Sequence, residues 1–107
     1  MTTPIVVVAT LVAKPGQEDR VAKTMTDLAP SVHAEPGCLL YALHKKSGTT
    51  GEFVMIEKWS SPESFDVHMR SATMREVLGI LRDALASAPT MGVLEAVPAG
   101  SPELGAL

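Results

Sequence analysis

The chain has 107 residues, 46% of them hydrophobic, and a formal net charge of -3 with both signs spread along its length. That suits one domain with one modest core, excludes a disordered chain, and offers no basic stripe with which to grip nucleic acid. A single cysteine, Cys38, excludes an intrachain disulfide and a cysteine-based zinc site, and points to a reducing compartment.

Residues 5–13, IVVVATLVA, form a β-branched apolar run that ends at the turn signal Lys14-Pro15-Gly16. The run has the look of a signal-peptide core. It lacks a positive segment before it, and a helix-forming stretch follows where a cleavage site would fall. It is also too short to span a membrane. The reading is a strand in a cytoplasmic protein with no membrane segment. From Gln17 onward, Val21, Met25, Leu28 and Val32 recur at helical spacing, with Glu18 and Asp19 in the first turn where the helix dipole favours acids. Pro30 lies inside this run and predicts a kink, or an end of the main helix near Ala29.

Cys38–Lys45 and Glu52–Trp59 read as strands of a hairpin closed by a Ser-Gly-Thr-Thr-Gly link. A helix start follows, either with Ser61 as cap and Pro62 in first position, or with Ser60 and Glu63 as a capping box. Phe65, His68, Met69 and Ala72 share one helical face. Met74, Val77, Leu78, Leu81 and Leu85 form a stripe out of phase with it, and Thr73 with Glu76 matches a second capping box. Two helical pieces with a bend between residues 71 and 73 are therefore predicted. Pro89 ends the second piece, residues 90–97 read as a last strand, and residues 98–107 as a flexible tail, loose or draped over a partner. Residues 1–97 then make one domain.

The order β-α-β-β-α-β is that of a ferredoxin-like sandwich: an α+β fold, with helices on one face of an antiparallel sheet. The uncovered face of such a sheet should be polar. Here the strands are apolar at both parities, and no spare segment is long enough to cover the second face. A homodimer with sheets packed face to face is the predicted solution.

If the third strand is regular, Phe53, Met55, Glu57 and Trp59 point to one side. His68 lies about 9 Å along the next helix from Pro62, on a face that Phe65 and Met69 turn inward. Trp59 and His68 are thus expected to border one space between sheet and helix. A β-bulge between Met55 and Trp59 would break that parity. The plainer alternative is a core tryptophan, and a histidine at the edge of an apolar face with an ordinary hydrogen bond.

The segment EPGCLLY (Glu35 to Tyr41), followed by EKWSSPESFDVH (Glu57 to His68) and preceded by KPGQED at residues 14–19, resembles the antibiotic biosynthesis monooxygenase family over nearly the whole chain. The resemblance implies dimeric α+β barrels. It also implies oxidation of hydroquinones or aromatic polyketides such as anthrones by O₂, without metal or flavin, so no cofactor is expected. Such chemistry needs a dry pocket, a base and a stabilised oxyanion.

His68 is the candidate base. Trp59 is a candidate flat wall and N–H donor. Glu57 either orients His68 or is solvated at the strand end. Tyr41 offers a hydroxyl, or is simply a half-buried strand residue. Met55, Phe65, Met69, Met74 and Leu78 would form the apolar lining, or would be core. His33 and His44 read as surface residues, and Cys38 as a small buried hydrophobe. A haem-degrading relative would need a later histidine, absent between Met74 and Leu85, and an asparagine, absent from the chain. A non-enzymatic binding or scaffold dimer, and an isomerase, are the other classes that fit.

Overall fold

The computed structural model of the protein describes residues 3–107. Four strands and three helices follow in the order β1 (Ile5–Val12), α1 (Glu18–His33), β2 (Cys38–Lys45), β3 (Glu52–Trp59), α2 (Pro62–Met69), α3 (Ala72–Ala84) and β4 (Thr90–Leu94). The strands form one antiparallel sheet ordered β2-β3-β1-β4, the ferredoxin-like arrangement. Among the described residues, no helix is long and apolar enough to cross a membrane.

Alternation in the two central strands divides the sheet's faces. Ile5, Val7, Ala9 and Leu11 of β1 and Phe53, Met55, Glu57 and Trp59 of β3 are buried on one face. The register Ile5↔Trp59 through Val12↔Glu52 runs without a break, so the parity of β3 is regular along its length. The irregularity in the sheet lies instead in β2, between Cys38 and Leu40. Val21, Met25, Leu28 and Val32 of α1, and Met74, Val77, Leu81 and Ala84 of α3, complete the core over that face. The other face carries Val6, Val8, Ala42, Val54 and Ile56, all half-buried, with Leu40 and Leu94 exposed. Among the described residues, no helix covers them. The last residues reach one corner of this face: Lys58 Nζ donates to the carbonyl oxygen of Leu107, beside a shallow hollow bounded by Val6, Leu94 and residues 104–107.

Several boundaries differ from the sequence expectation, each for a local reason. α1 runs through Pro30 to His33, because the ring is exposed in the last turns and forfeits one backbone bond that Val32 burial outweighs. At the start of α2 the cap is Ser61, with Pro62 in the first turn. Its reciprocal partner is Ser64 rather than Glu63: Ser64 N donates to Ser61 Oγ at 3.1 Å, and Ser61 N donates to Ser64 Oγ at 3.3 Å. The bend between α2 and α3 is capped by Ser71, whose Oγ accepts from Met74 N, so Thr73 lies inside α3 rather than capping it. Ala72 is exposed and leaves the inward face. β1 stops at Val12, with Ala13 making only an isolated bridge to Leu85, and β4 stops at Leu94 rather than Val97.

Candidate active site

The site begins with a turn. Glu35-Pro36-Gly37-Cys38 joins α1 to β2, and Cys38 N donates to Glu35 O at 3.2 Å. Proline second and a glycine third at φ +84° fit a type II turn. Gly37 O accepts Ser60 N–H at 2.8 Å, pinning the turn to the end of β3. A Cβ on Gly37 would lie 2.5 Å from Ser64 Cβ, so the turn abuts the start of α2. This packing carries the Glu35 carboxylate over His68, two turns into α2.

The His68 side chain is 1% exposed. Its Nδ1–H donates to both Glu35 oxygens, at 3.1 and 3.0 Å. Glu57 lies on the other side, with Oε1 4.0 Å from His68 Nε2. Nε2 itself is buried and has no hydrogen-bond partner. With Nδ1 committed to a carboxylate, the neutral ring carries its lone pair on Nε2. Glu57 is only 4% exposed, so the solvated alternative does not occur. Its Oε1 accepts the indole N–H of Trp59 at 2.9 Å. Burial pushes the Glu57 carboxyl up. The indole bond and His68 pull it down, and Glu35 adds a smaller push upward. Burial, followed by Glu57 and Glu35, raises the Tyr41 hydroxyl well above the usual tyrosine range.

A cavity of about 200 Å³ lies between the sheet and α1, α2 and α3. Its polar lining is Tyr41, Glu57 and His68. Five methionines line it, Met25, Met55, Met69, Met74 and Met91, together with Ala9, Leu11, Val77, Leu78, Leu81 and Pro89. Leu78 and Met91 are exposed and mark its mouth.

Of the residues singled out from sequence, His68, Glu57, Tyr41, Met55, Met69, Met74 and Leu78 border this cavity. Trp59 and Phe65 do not. The indole stacks directly on the imidazole, ring centres 4.6 Å apart, and Phe65 packs beside both at 6.2 and 6.3 Å. The expected space between Trp59 and His68 is therefore filled by their own contact, and the hollow lies on another side of His68. Trp59 supports Glu57 and the imidazole rather than forming a wall.

Sequence reasoning missed Glu35 beside His68 and, in the lining, Ala9, Leu11, Met25, Val77, Leu81, Pro89 and Met91. Ala9 and Leu11 were also legible in principle, since Ala9 pairs with Met55 and Leu11 with Phe53 on the buried face. Cys38 is half-buried, and burial with Glu35 nearby raises its thiol, the reverse of an activated nucleophile. His33 is exposed, with Nε2 2.9 Å from the Tyr41 carbonyl oxygen, and His44 is exposed. Among the described residues, no group of three or more His, Cys, Asp or Glu side chains could hold a metal ion.

Comparison with known proteins adds to this geometry. The family profile described as antibiotic biosynthesis monooxygenase matches residues 4–78, from the first strand into α3. A Caulobacter crescentus CB15 protein, provisionally described as an antibiotic biosynthesis monooxygenase, is 30% identical; the alignment covers 91% of this chain and 92% of that one, with a TM-score of 0.83. PA3566 from Pseudomonas aeruginosa is 26% identical, over 92% of this chain and 98% of the other, with a TM-score of 0.85. Rv0793 from Mycobacterium tuberculosis, 22% identical over 92% and 100% of the two chains, shares the fold with a TM-score of 0.85. No curated protein matches the chain in sequence.

Proposed function

The chain belongs to the antibiotic biosynthesis monooxygenase family, and from that premise we propose that it oxidises a small phenolic or hydroquinone-type substrate with O₂, using His68 as base and no cofactor. The observation that carries this reading is the buried, unpartnered Nε2 of His68 at a cavity otherwise lined almost wholly by apolar side chains. An unsatisfied acceptor in such a place is expensive unless a ligand supplies a donor.

In this reading the substrate hydroxyl, or an acidic C–H beside a ring carbonyl, gives its proton to Nε2. The imidazolium that forms sits between Glu35 and Glu57, two carboxylates that stabilise it as it gains charge. The substrate anion is electron-rich enough to reduce O₂, and the carbon that yields electrons binds the reduced oxygen as a peroxide. The hydrogen still on that carbon passes as a proton to the outer oxygen, the C–H electron pair closes the carbonyl, and the O–O bond breaks to release hydroxide. The departing hydroxide takes the proton from Nε2 and leaves as water. Each substrate thus exchanges two hydrogens for one oxygen atom, and the second oxygen becomes water. The apolar lining excludes solvent that would compete for the anion. A cavity near 150 Å³ holds benzene, so about 200 Å³ suits one ring, or two fused rings after the methionines adjust.

The uncovered apolar sheet face supports a dimer through that face, and the single cysteine supports a cytoplasmic setting. The test of function is O₂ uptake with a panel of quinols and anthrones. His68→Ala is expected to lower kcat by about 10²–10⁴-fold. Uptake that His68→Ala leaves unchanged means autoxidation and a binding role. Product formed without O₂ consumption means an isomerase.

A further inference from the structure

His68 divides its two nitrogens between two surroundings. Nδ1 faces Glu35, which lines no part of the cavity and whose side chain is 21% exposed. Nε2 faces Glu57, whose side chain is 6% exposed and borders the cavity. Glu35 accepts through both oxygens, so the proton of a neutral ring is held on Nδ1. The polar end of the cavity then presents acceptors: the Nε2 lone pair and the carboxylate of Glu57, 4.0 Å apart. The oxygen of that pair, Glu57 Oε1, already accepts the indole N–H at 2.9 Å and keeps a further lone pair for a second donor. The hydroxyl of Tyr41 is the remaining polar group among the lining residues.

Two acceptors at this spacing match two donors on adjacent atoms. The oxygens of a 1,2-dihydroxybenzene lie closer together than 4.0 Å, so each hydroxyl can reach one acceptor at ordinary hydrogen-bond length. A single hydroxyl satisfies Nε2 and leaves the buried Glu57 carboxylate with the indole N–H as its hydrogen bond, whereas a second, adjacent hydroxyl adds a charge-assisted bond to it. A ring with para hydroxyls places its second donor at the far, apolar end. Building on the reading of the cavity as a phenol site, we propose that it selects an aromatic ring bearing two adjacent hydroxyls, and that Glu35 is a positioning residue that creates this preference by fixing the His68 tautomer. Nε2 is buried, so a ligand reaches it only as lining side chains give way, and the methionines are the most flexible of these.

The experiment separates this proposal from the oxidation itself. Binding of catechol, phenol, para-hydroquinone and 1,2-dimethoxybenzene is measured without O₂ by calorimetry. Nitrogen-15 NMR reads the His68 tautomer in the same protein. The expected result is a ring protonated on Nδ1 and bare on Nε2, with catechol bound about tenfold or more tighter than phenol or para-hydroquinone and the dimethyl ether not bound. Glu35→Lys, which offers only donors to Nδ1, is expected to move the proton to Nε2 and bring the ether up to or above catechol. Glu35→Asp keeps an acceptor and is expected to restore the original order. A wild-type ring protonated on Nε2 or on both nitrogens overturns the proposal. So does catechol bound no better than phenol, or a ranking indifferent to Glu35→Lys once NMR shows that the variant is folded. If catechol binds as expected and no substrate drives O₂ uptake, the monooxygenase reading fails and this one stands. If quinols drive uptake and catechol shows no preference, the reverse holds.

Discussion

At the scale of single residues, the arrangement rests on a buried carboxylate with few partners. Trp59 is fully buried and gives its indole N–H to Glu57. Trp59→Phe keeps an aromatic ring but removes that donor and some volume, and is expected to destabilise the fold by about 2–4 kcal/mol in urea unfolding near neutral pH. The loss should shrink in acid, where the indole bond to a protonated, neutral Glu57 is weaker than the bond to a carboxylate. Glu57 itself supplies a signed pH prediction. Burial raises its carboxyl above the ordinary value of 4.5. A raised carboxyl favours the folded state in its protonated form, so that contribution is complete below the unfolded value and is lost as pH rises through the folded one. The stability of the wild type relative to Glu57→Gln is therefore expected to decline as pH climbs from about 4.5 through the raised value. A difference that grows with pH in a urea series would contradict the buried-carboxylate assignment. His68 and Glu57 were legible in the sequence because strand alternation and helical spacing each turn one face inward. Glu35 was not, because its partner is 33 residues away and EPG reads locally as a turn and nothing more. Trp59 was placed on the correct face, but alternation says nothing about whether two inward rings leave a gap or touch.

At the scale of elements, short caps and one tight turn decide where the chemistry stands. The order of strands and helices could be read directly, since β-branched apolar runs bounded by turn signals give way to apolar residues at helical intervals and back. The exact caps could not be read, because Ser60, Ser61, Ser64, Ser71 and Thr73 all have the side-chain chemistry a cap needs, and packing selects among them. Gly37 is the sharpest point of this scaffold. Its φ of +84° disfavours any side chain, and an added Cβ would meet Ser64 and Ser60 side-chain atoms within 2.7 Å. Gly37→Ala is expected to destabilise the protein by about 1–2 kcal/mol from backbone conformation alone, with the clash adding to it. Because the same turn carries Glu35, the variant should also weaken the Nδ1 contact. Thermal unfolding checks the first effect, and the His68 nitrogen shifts check the second.

At the scale of the whole molecule, the sheet buries one face and leaves an apolar one without a helix over it. Val54 and Ile56 lie near the middle of that open face, on a central strand. The expected species in dilute solution is a dimer, with light scattering giving twice the mass of the chain. Ile56→Glu is expected to give monomers that keep the fold by circular dichroism. A wild-type monomer at micromolar concentration would remove the basis for face-to-face pairing. The doubled apolar parity of the strands made this surface legible from sequence, whereas the return of Leu107 to Lys58 was not, since a Pro-, Gly- and Ala-rich tail has no periodicity to read.

Every methionine among the described residues borders the one cavity that His68 and Glu57 also line. Isotopic labelling of methionine methyl groups therefore places its reporters around the ligand's seat and nowhere else in the described fold. A guest entering from the mouth would shift Met91 first, and one lodged against the imidazole would shift signals deeper in the hollow, so the depth of a bound ring can be followed by spectroscopy without altering a single residue.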